Sequence, residues 1–391
     1  MSERIDAFVV AVPGLESLVL AEVQKLGVRP ARVVRGGVEC TVTWPQLWAL
    51  NLRCRVATRV LVRLRRFKAD GFHSLEKGIG AIPWSSWLSA DAGVQVSVTA
   101  DAGSKLYHSG AVEERVLAML DRPEGEQRVF VRVLNDVVTV SLDASGDSLH
   151  RRGYRGAAGK APLRETLAAA VVLGSGWDAK SPLIDPFCGS GTIAIEAALL
   201  ARRMAPGRHR PFAFQQWPSF DAVAWGRLLG GADGDVVAKC PPIMASDRDA
   251  GAVAAAVANA AAAGVAENIE VAQRSVSDLT LPAGRPGWIV SNPPYGVRVG
   301  ATSGGAGASR GSGAGGASAR SDGDLRNLYD RFGAVLREGA GGWHVAVLAS
   351  ADTPVARMHL PLRPELTTSN GGIDVALHTG VVPAAPAVAG A

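Results

Sequence analysis

Cysteine is scarce in this chain of 391 residues: only Cys40, Cys54, Cys188 and Cys240 occur. They are scattered, with no C-x-x-C pair and no histidine at ligand spacing, which argues against a disulfide framework and against a zinc site. No metal is expected. Long apolar runs are missing as well. No stretch of about 18 strongly apolar residues occurs, and the opening "MSERIDAFVV" lacks a basic segment leading into an uninterrupted apolar one, so a cytoplasmic location with no membrane partner is expected. The Ala-rich stretch 252–263 comes nearest to a span, but Asn259 interrupts it and it reads as a soluble helix. No internal repeat stands out. What is present is 47% apolar residues, enough for more than one core in a chain of two or three domains. The net charge of +5 leans toward a polyanionic partner, although such a surplus also serves solubility.

The first 150 residues read as α+β. "DAFVVAV" and "RVVRGGVECTVT" have strand character around a helix "GLESLVLAEVQKLG" that ends at Gly27. Between Arg53 and Arg65 the arginines take odd positions, with Val56, Val60, Val62 and Leu64 on even ones. That period of two predicts a strand with one basic face holding Arg59, Arg63 and Arg65. Such a face could meet phosphate, or simply be a solvated edge that resists aggregation. A strand "VQVSVTA", a helix through "AVEERVLAML" and a hairpin turning at Asn135-Asp136 follow. A Gly-rich connection then crowds Arg151, Arg152, Arg155, Lys160 and Arg164 before a helix, and a domain boundary is placed there.

From residue 181 short apolar strands alternate with helices, as a doubly wound, mostly parallel α/β sheet requires. The segment 300–323 has almost no apolar bulk and is expected to be a flexible insert.

The turn "LIDPFCGSGT" follows the first of these strands. Gly189 and Gly191 let backbone approach a ligand, and Gly189-x-Gly191-x-x-Ala194 loosely matches a dinucleotide fingerprint. Asp185 beside that loop would repel a pyrophosphate and favour a cationic ligand. No Lys-Ser/Thr pair follows the glycines, which excludes a P-loop. S-adenosyl-L-methionine, with its sulfonium, its ammonium and no phosphate, is the expected cofactor. The next strand ends at Asp247, where one carboxylate can accept from both ribose hydroxyls; its neighbour Asp249 reads more simply as a helix N-cap. Asp278, after the third strand, could accept from an adenine amine or be a turn residue. The fourth strand ends in Asn292-Pro293-Pro294-Tyr295. These polar groups follow successive strands, so they gather at the carboxyl edge of the sheet, where open α/β folds bind ligands.

The amine on a nucleobase is a poor nucleophile because its lone pair is delocalised. The Asn292 side-chain oxygen and the Pro293 carbonyl, held by two prolines, would accept its hydrogens and stabilise the charge that develops as it attacks. Tyr295 could stack on the base, or pack beneath the turn.

"DPFCGSGT", "SDRDA" and "NPPYG" resemble the motifs of class I S-adenosylmethionine methyltransferases acting on exocyclic amines. More narrowly, "VVAVPGLESLVLAEVQKLG", "SLDASGDSLHRRGYR", "APLRETLAAA" and "DPFCGSGTIAIEAALLARRMAPG" resemble the THUMP-containing RNA guanine-N2 methyltransferases, over about residues 7–377 apart from the Gly-rich insert. The resemblance implies a ferredoxin-like domain at 1–66, a THUMP RNA-binding domain at 67–150, a linker and leading helix at 151–180 and a Rossmann-like, seven-stranded methyltransferase domain at 181–382. It further implies that Asp185, Gly189 and Gly191 line the methionine moiety, Asp247 the ribose, Asp278 the adenine, and Asn292 to Tyr295 the target base, with Phe187 also binding the cofactor. Structured RNA is the implied partner, with 23S ribosomal RNA favoured over transfer RNA. Arg59, Arg63, Arg65, Arg151, Arg152 and Arg155 are the expected RNA contacts. Three rivals stand beside this reading: a DNA adenine-N6 or cytosine-N4 methyltransferase, a NAD-dependent oxidoreductase using the same Gly turn, and a catalytically silent RNA-binding protein.

Overall fold

The computed structural model describes residues 4–156, 163–295 and 322–384. Lys160 and most of the expected insert, 300–321, lie outside the described residues. Asp322 and Gly323, assigned to that insert from sequence, instead open a helix. The chain divides into two compact units, Met1–Arg152 with Met204–Asp235, and Gly153–Arg203 with Val236–Ala391.

The first unit runs β1 (Ile5–Val10), α1 (Glu16–Lys25), β2 (Ala31–Val34), β3 (Gly37–Val42), α2 (Trp44–Arg53), β4 (Arg59–Lys68), α3 (Phe72–Gly80), β5 (Val94–Ala100), α4 (Ser109–Leu120), β6 (Gln127–Leu134) and β7 (Val137–Asp143). Its strands form one sheet in the order β2-β3-β1-β4-β7-β6-β5, antiparallel except where β5 meets β6. Alternation explains the layering: Val129, Val131 and Val133 of β6 are buried while Arg132 and Leu134 are exposed. The β6–β7 hairpin turns on Asn135 and Asp136, both at positive φ (51° and 57°), the backbone that a tight two-residue turn needs.

The regular alternation expected along β4 fails at one point. A bulge between Arg63 and Arg65 shifts the register against β7, so that Arg63 faces Ser141 and Arg65 faces Val140. One extra residue reverses the parity of everything after it. Arg65 therefore moves to the helix-covered side, where its guanidinium lies over Phe67 and reaches the Ala81 carbonyl at 3.4 Å. Arg66 takes its place opposite Thr139.

Residues 204–235, expected within the second domain, join the first unit through an aromatic cluster. Phe214 stacks on Trp48 of α2 at 6.0 Å and on Phe212 at 5.3 Å, and Trp217 donates its indole N–H to Gln127 at 2.9 Å. Gly207 donates to the Leu52 carbonyl, and a Cβ there would sit 3.0 Å from Leu52 Cα. The segment closes with α7 (Ala222–Gly234), capped by Asp221, which accepts from Val223 and Ala224.

The second unit contains α5 (Glu165–Gly174), β8 (Leu183–Asp185), α6 (Thr192–Ala201), β9 (Ile243–Asp247), α8 (Ala250–Ala262), β10 (Ile269–Gln273), β11 (Trp288–Ser291), α9 (Asp322–Gly339), β12 (His344–Ser350), β13 (Arg363–Asn370) and β14 (Ile373–Val381). Its seven-stranded sheet has the order β10-β9-β8-β11-β12-β14-β13; β8 to β12 are parallel, with β14 antiparallel to β12 and β13. This is the doubly wound, Rossmann-like sheet expected from sequence. Tyr329, Phe332 and Leu336 of α9 pack on Ile184, Ile289, Val345 and Val347 of the sheet in one core. Strand order reverses between β8 and β11, the topological switch point where such sheets bind ligands.

Candidate active site

β8 is buried along its whole length and delivers Asp185 to the switch point at 1% exposure. Its Oδ1 accepts from the Phe187 backbone N–H at 3.2 Å and from the Ser291 hydroxyl at 2.5 Å. Burial pushes this carboxyl up to about 7, against the lowering effect of those two hydrogen bonds, with Asp247 adding to the rise. A buried acid on the verge of ionising is poised to take its charge when a cation arrives beside it.

After Asp185 the chain turns through Phe187, Cys188, Gly189 and Ser190 into α6. Gly189 has φ +52° and Gly191 φ +82°, a region that residues with a side chain rarely enter. Gly191 is also hemmed in, since a Cβ there would meet Ala256 at 3.0 Å. Three bonds tie the turn to β9 and α8: Cys188 N–H donates to the Ser246 carbonyl at 2.9 Å, Gly189 N–H to Asp247 Oδ2 at 3.0 Å, and the Asn259 amide to the Ser190 carbonyl at 3.1 Å. Phe187 stands edge-on to Phe332 at 5.1 Å.

Asp247, at the end of β9, thus braces the Gly turn with one oxygen and accepts from Asp249 N–H at 3.0 Å with the other. Asp249 caps α8 through Ala252 N–H at 2.9 Å, the simpler of its two sequence readings. Asp278 ends a short 3-10 turn, Val276–Asp278, and is exposed.

At the end of β11, Ser291 is fully buried and bonded to Asp185. It ties the Asn292-Pro293-Pro294-Tyr295 corner to the carboxylate one strand away. Asn292 is half-buried and Pro294 exposed. Tyr295 is not open for stacking: its ring is 7% exposed and its hydroxyl donates to Asn292 Oδ1. Burial raises the phenol further, so it stays a donor. Tyr329 of α9 donates to the Pro294 carbonyl at 3.4 Å.

The structure therefore brings together Asp185, Phe187, Gly189, Gly191, Asp247 and the Asn292 corner through a connected set of bonds, with Asp278 farther along the same edge. Ser291 and Asn259 were not singled out by sequence reasoning. Asn259 had left a trace, as a lone polar residue in an alanine helix; Ser291 left only its position before the motif.

The arginines fare differently. Arg59 bridges the fully buried Asp143 and donates to Ser148 Oγ at 3.0 Å. Arg63 pairs with Glu39 at 3.3 Å and lies 4.4 Å above the Phe8 ring. Arg152 is 4% exposed, with its guanidinium on the Leu149 and Arg55 carbonyls, and so has no surface for phosphate. Arg155 pairs with the buried Glu165 at 3.2 Å and donates to Thr192 Oγ1. Arg151 is exposed beside Asp147.

A seven-stranded sheet of this order, with acids and a Gly turn at its switch point, defines a class I methyltransferase. A family model described as "RMKL-like, methyltransferase domain" matches residues 152–305, and one described as "RlmL ferredoxin-like domain" matches residues 6–61. A Listeria monocytogenes protein, described as a predicted N6-adenine-specific DNA methylase, is 30% identical over 96% of both chains with a TM-score of 0.82. SMU.472, solved as a candidate methyltransferase complexed with SAH, is 26% identical over 98% of this chain and 100% of its own, with a TM-score of 0.84. TrmN from Thermus thermophilus shares the fold at 21% identity over 96% of this chain and 98% of its own, with a TM-score of 0.68. The chain belongs to the RMKL-like methyltransferase family, and its cofactor is S-adenosyl-L-methionine. The residues fit that group: a buried carboxylate suits a cation, and the positive-φ glycines leave backbone open to a ligand without phosphate.

Proposed function

We propose that this methyltransferase acts on the exocyclic N2 of a guanine in structured RNA, 23S ribosomal RNA before transfer RNA. The observation that supports the reading is the Asn292 corner, bonded through Ser291 to Asp185: an amide that would activate an amine then stands one strand from the carboxylate that would face the cofactor. The match of residues 6–61 to an RlmL ferredoxin-like domain supports RNA as the polymer, with residues 67–150 as the THUMP module.

S-adenosyl-L-methionine supplies an electrophilic methyl carbon on a cationic sulfur. Asp185, Phe187, Gly189 and Gly191 hold its amino-acid end, Asp247 its ribose and Asp278 its adenine. Asn292 Oδ1 and the Pro293 carbonyl accept the two hydrogens of the base amine, which draws the nitrogen toward tetrahedral geometry. The prolines prevent those acceptors from relaxing away. The Tyr295 hydroxyl donates to Asn292 Oδ1, and that oxygen keeps a second lone pair for the amine.

The description of the Listeria relative favours a second reading, methylation of adenine N6 in DNA. Nucleoside mass spectrometry on ribosomal RNA, transfer RNA and DNA from a deletion strain separates the two. Loss of one N2-methylguanosine from ribosomal RNA is the expected result. Loss of N6-methyladenine from DNA, with N2-methylguanosine unchanged, replaces the first reading with the second.

A further inference from the structure

The bulge in β4 does more than displace Arg65. On the face of the first unit's sheet away from the buried valines, β7 contributes Thr139 and Ser141, which are short and 9% and 6% exposed. β4 flanks them on one side with Arg66 opposite Thr139 and Arg63 opposite Ser141. On the other side β6 sets Arg132 opposite Thr139 and Phe130 opposite Ser141. The outcome is a shallow trough, two strand spacings or about 9.6 Å across, with β7 as its floor and guanidinium groups along both rims. Arg66 and Arg132 are exposed, and neither forms an ion pair among the described residues. The facing charges are felt: burial first, and then Arg132 and Arg66, lower Arg63, with Glu39 and Asp6 working against them. Beyond Arg132, β5 leaves Gln95, Ser97 and Thr99 exposed on its outward side, so no helix closes the trough there.

A solvated basic face would need none of this order. Cations are spaced by small residues, and Phe130, with Arg59 at 5.8 Å from its ring, lies on the rim between Arg128 and Arg132. Guanidinium rails beside an aromatic ring are the chemistry of a nucleic-acid strand: cations for phosphate, a π-face for a base. An acidic peptide would use the cations and leave the ring idle.

We infer that this trough, with the exposed Arg66 and Arg132 as its rails, extended by Arg63 beside Glu39 and Arg128 beside the Gly146 carbonyl, seats a single strand of RNA along β7. The inference rests on the reading of the substrate as RNA and locates where that RNA meets the first unit. It replaces the sequence-based set in part, since Arg65 and Arg152 do not line the trough while Arg66, Arg128 and Arg132 do.

The test is the full-length double variant Arg66→Glu/Arg132→Glu, read by fluorescence anisotropy with labelled U20 RNA across a salt series. The expected result is a Kd at least tenfold higher and a log–log salt slope shallower by about 1.4, because two fewer phosphates are neutralised at about 0.7 each. The thermal midpoint and the Kd for S-adenosyl-L-methionine stay at wild-type values. Should the reversal unfold the first unit, Arg66→Gln/Arg132→Gln gives the same slope change without adding negative charge. U20 binding within twofold of wild type in a folded variant overturns the inference, as does an equal loss of binding to poly-glutamate of the same length. A chain that binds U20 through these residues yet methylates no RNA keeps the trough and removes the proposed function. Methylation with U20 binding indifferent to the reversal does the opposite.

Discussion

Both units carry seven strands, yet they can place function only in different parts of a sheet. In the first, β5 and β6 alternate between core and solvent, so their outward face stays available. In the second, β8 and β12 are buried almost throughout, and only the strand ends, where pairing stops, can meet a ligand. A face offers many equivalent cations and suits a long polymer. An edge offers one Asp185 and one Asn292 and suits a single reacting atom.

Three measurements press on that contrast. Asn292→Ala should have the largest effect, lowering methyl transfer at least about a hundredfold while the Kd for S-adenosyl-L-methionine stays within twofold; comparable loss of both would make the residue part of the scaffold. Arg152→Met comes next. Its guanidinium serves two carbonyls inside the first unit, so urea unfolding should show a loss of about 2 kcal/mol, with U20 binding and its salt slope unchanged. A changed slope would put Arg152 back among the RNA contacts.

The third measurement is a pH dependence that arises at Asp185 in the second unit. The Asp185 carboxyl titrates at about 7 when folded, against 3.8 as its ordinary value. The folded protein therefore holds this proton more tightly than the unfolded chain. Its contribution to stability is present in full below pH 4 and is lost as the pH rises through 7, at roughly 1.4 kcal/mol per unit. Cofactor affinity runs the other way, because a cationic ligand favours the carboxylate. Calorimetric titration should show the Kd rising up to about tenfold per unit below pH 7, with proton release on binding. Asp185→Asn should flatten the profile, and an unflattened one would locate the titration elsewhere.

Much of the second unit was legible beforehand because its signals are local. A buried parallel strand writes itself as a short apolar run, and the residue after it falls at the sheet edge whatever the rest of the chain does. Asp185, Asp247 and Asn292 could be placed together on that ground alone. The Leu64 bulge could not be foreseen, since Arg63-Leu64-Arg65 continues the alternation perfectly as letters and only the pairing with β7 breaks it. The membership of residues 204–235 depends on a tryptophan 166 positions before Phe214. Long-range packing leaves no period to count.

That borrowed segment sets an order of events during synthesis. Trp48 waits for Phe214, and Gln127 for Trp217, by which point the ribosome has already released β8, Asp185 and the Gly turn. The N-terminal unit cannot finish as an independent first product, in the way that leading domains commonly do. A truncation at residue 152 would expose the indole face of Trp48, so any fragment meant to carry the RNA trough alone must have residues 204–235 supplied with it.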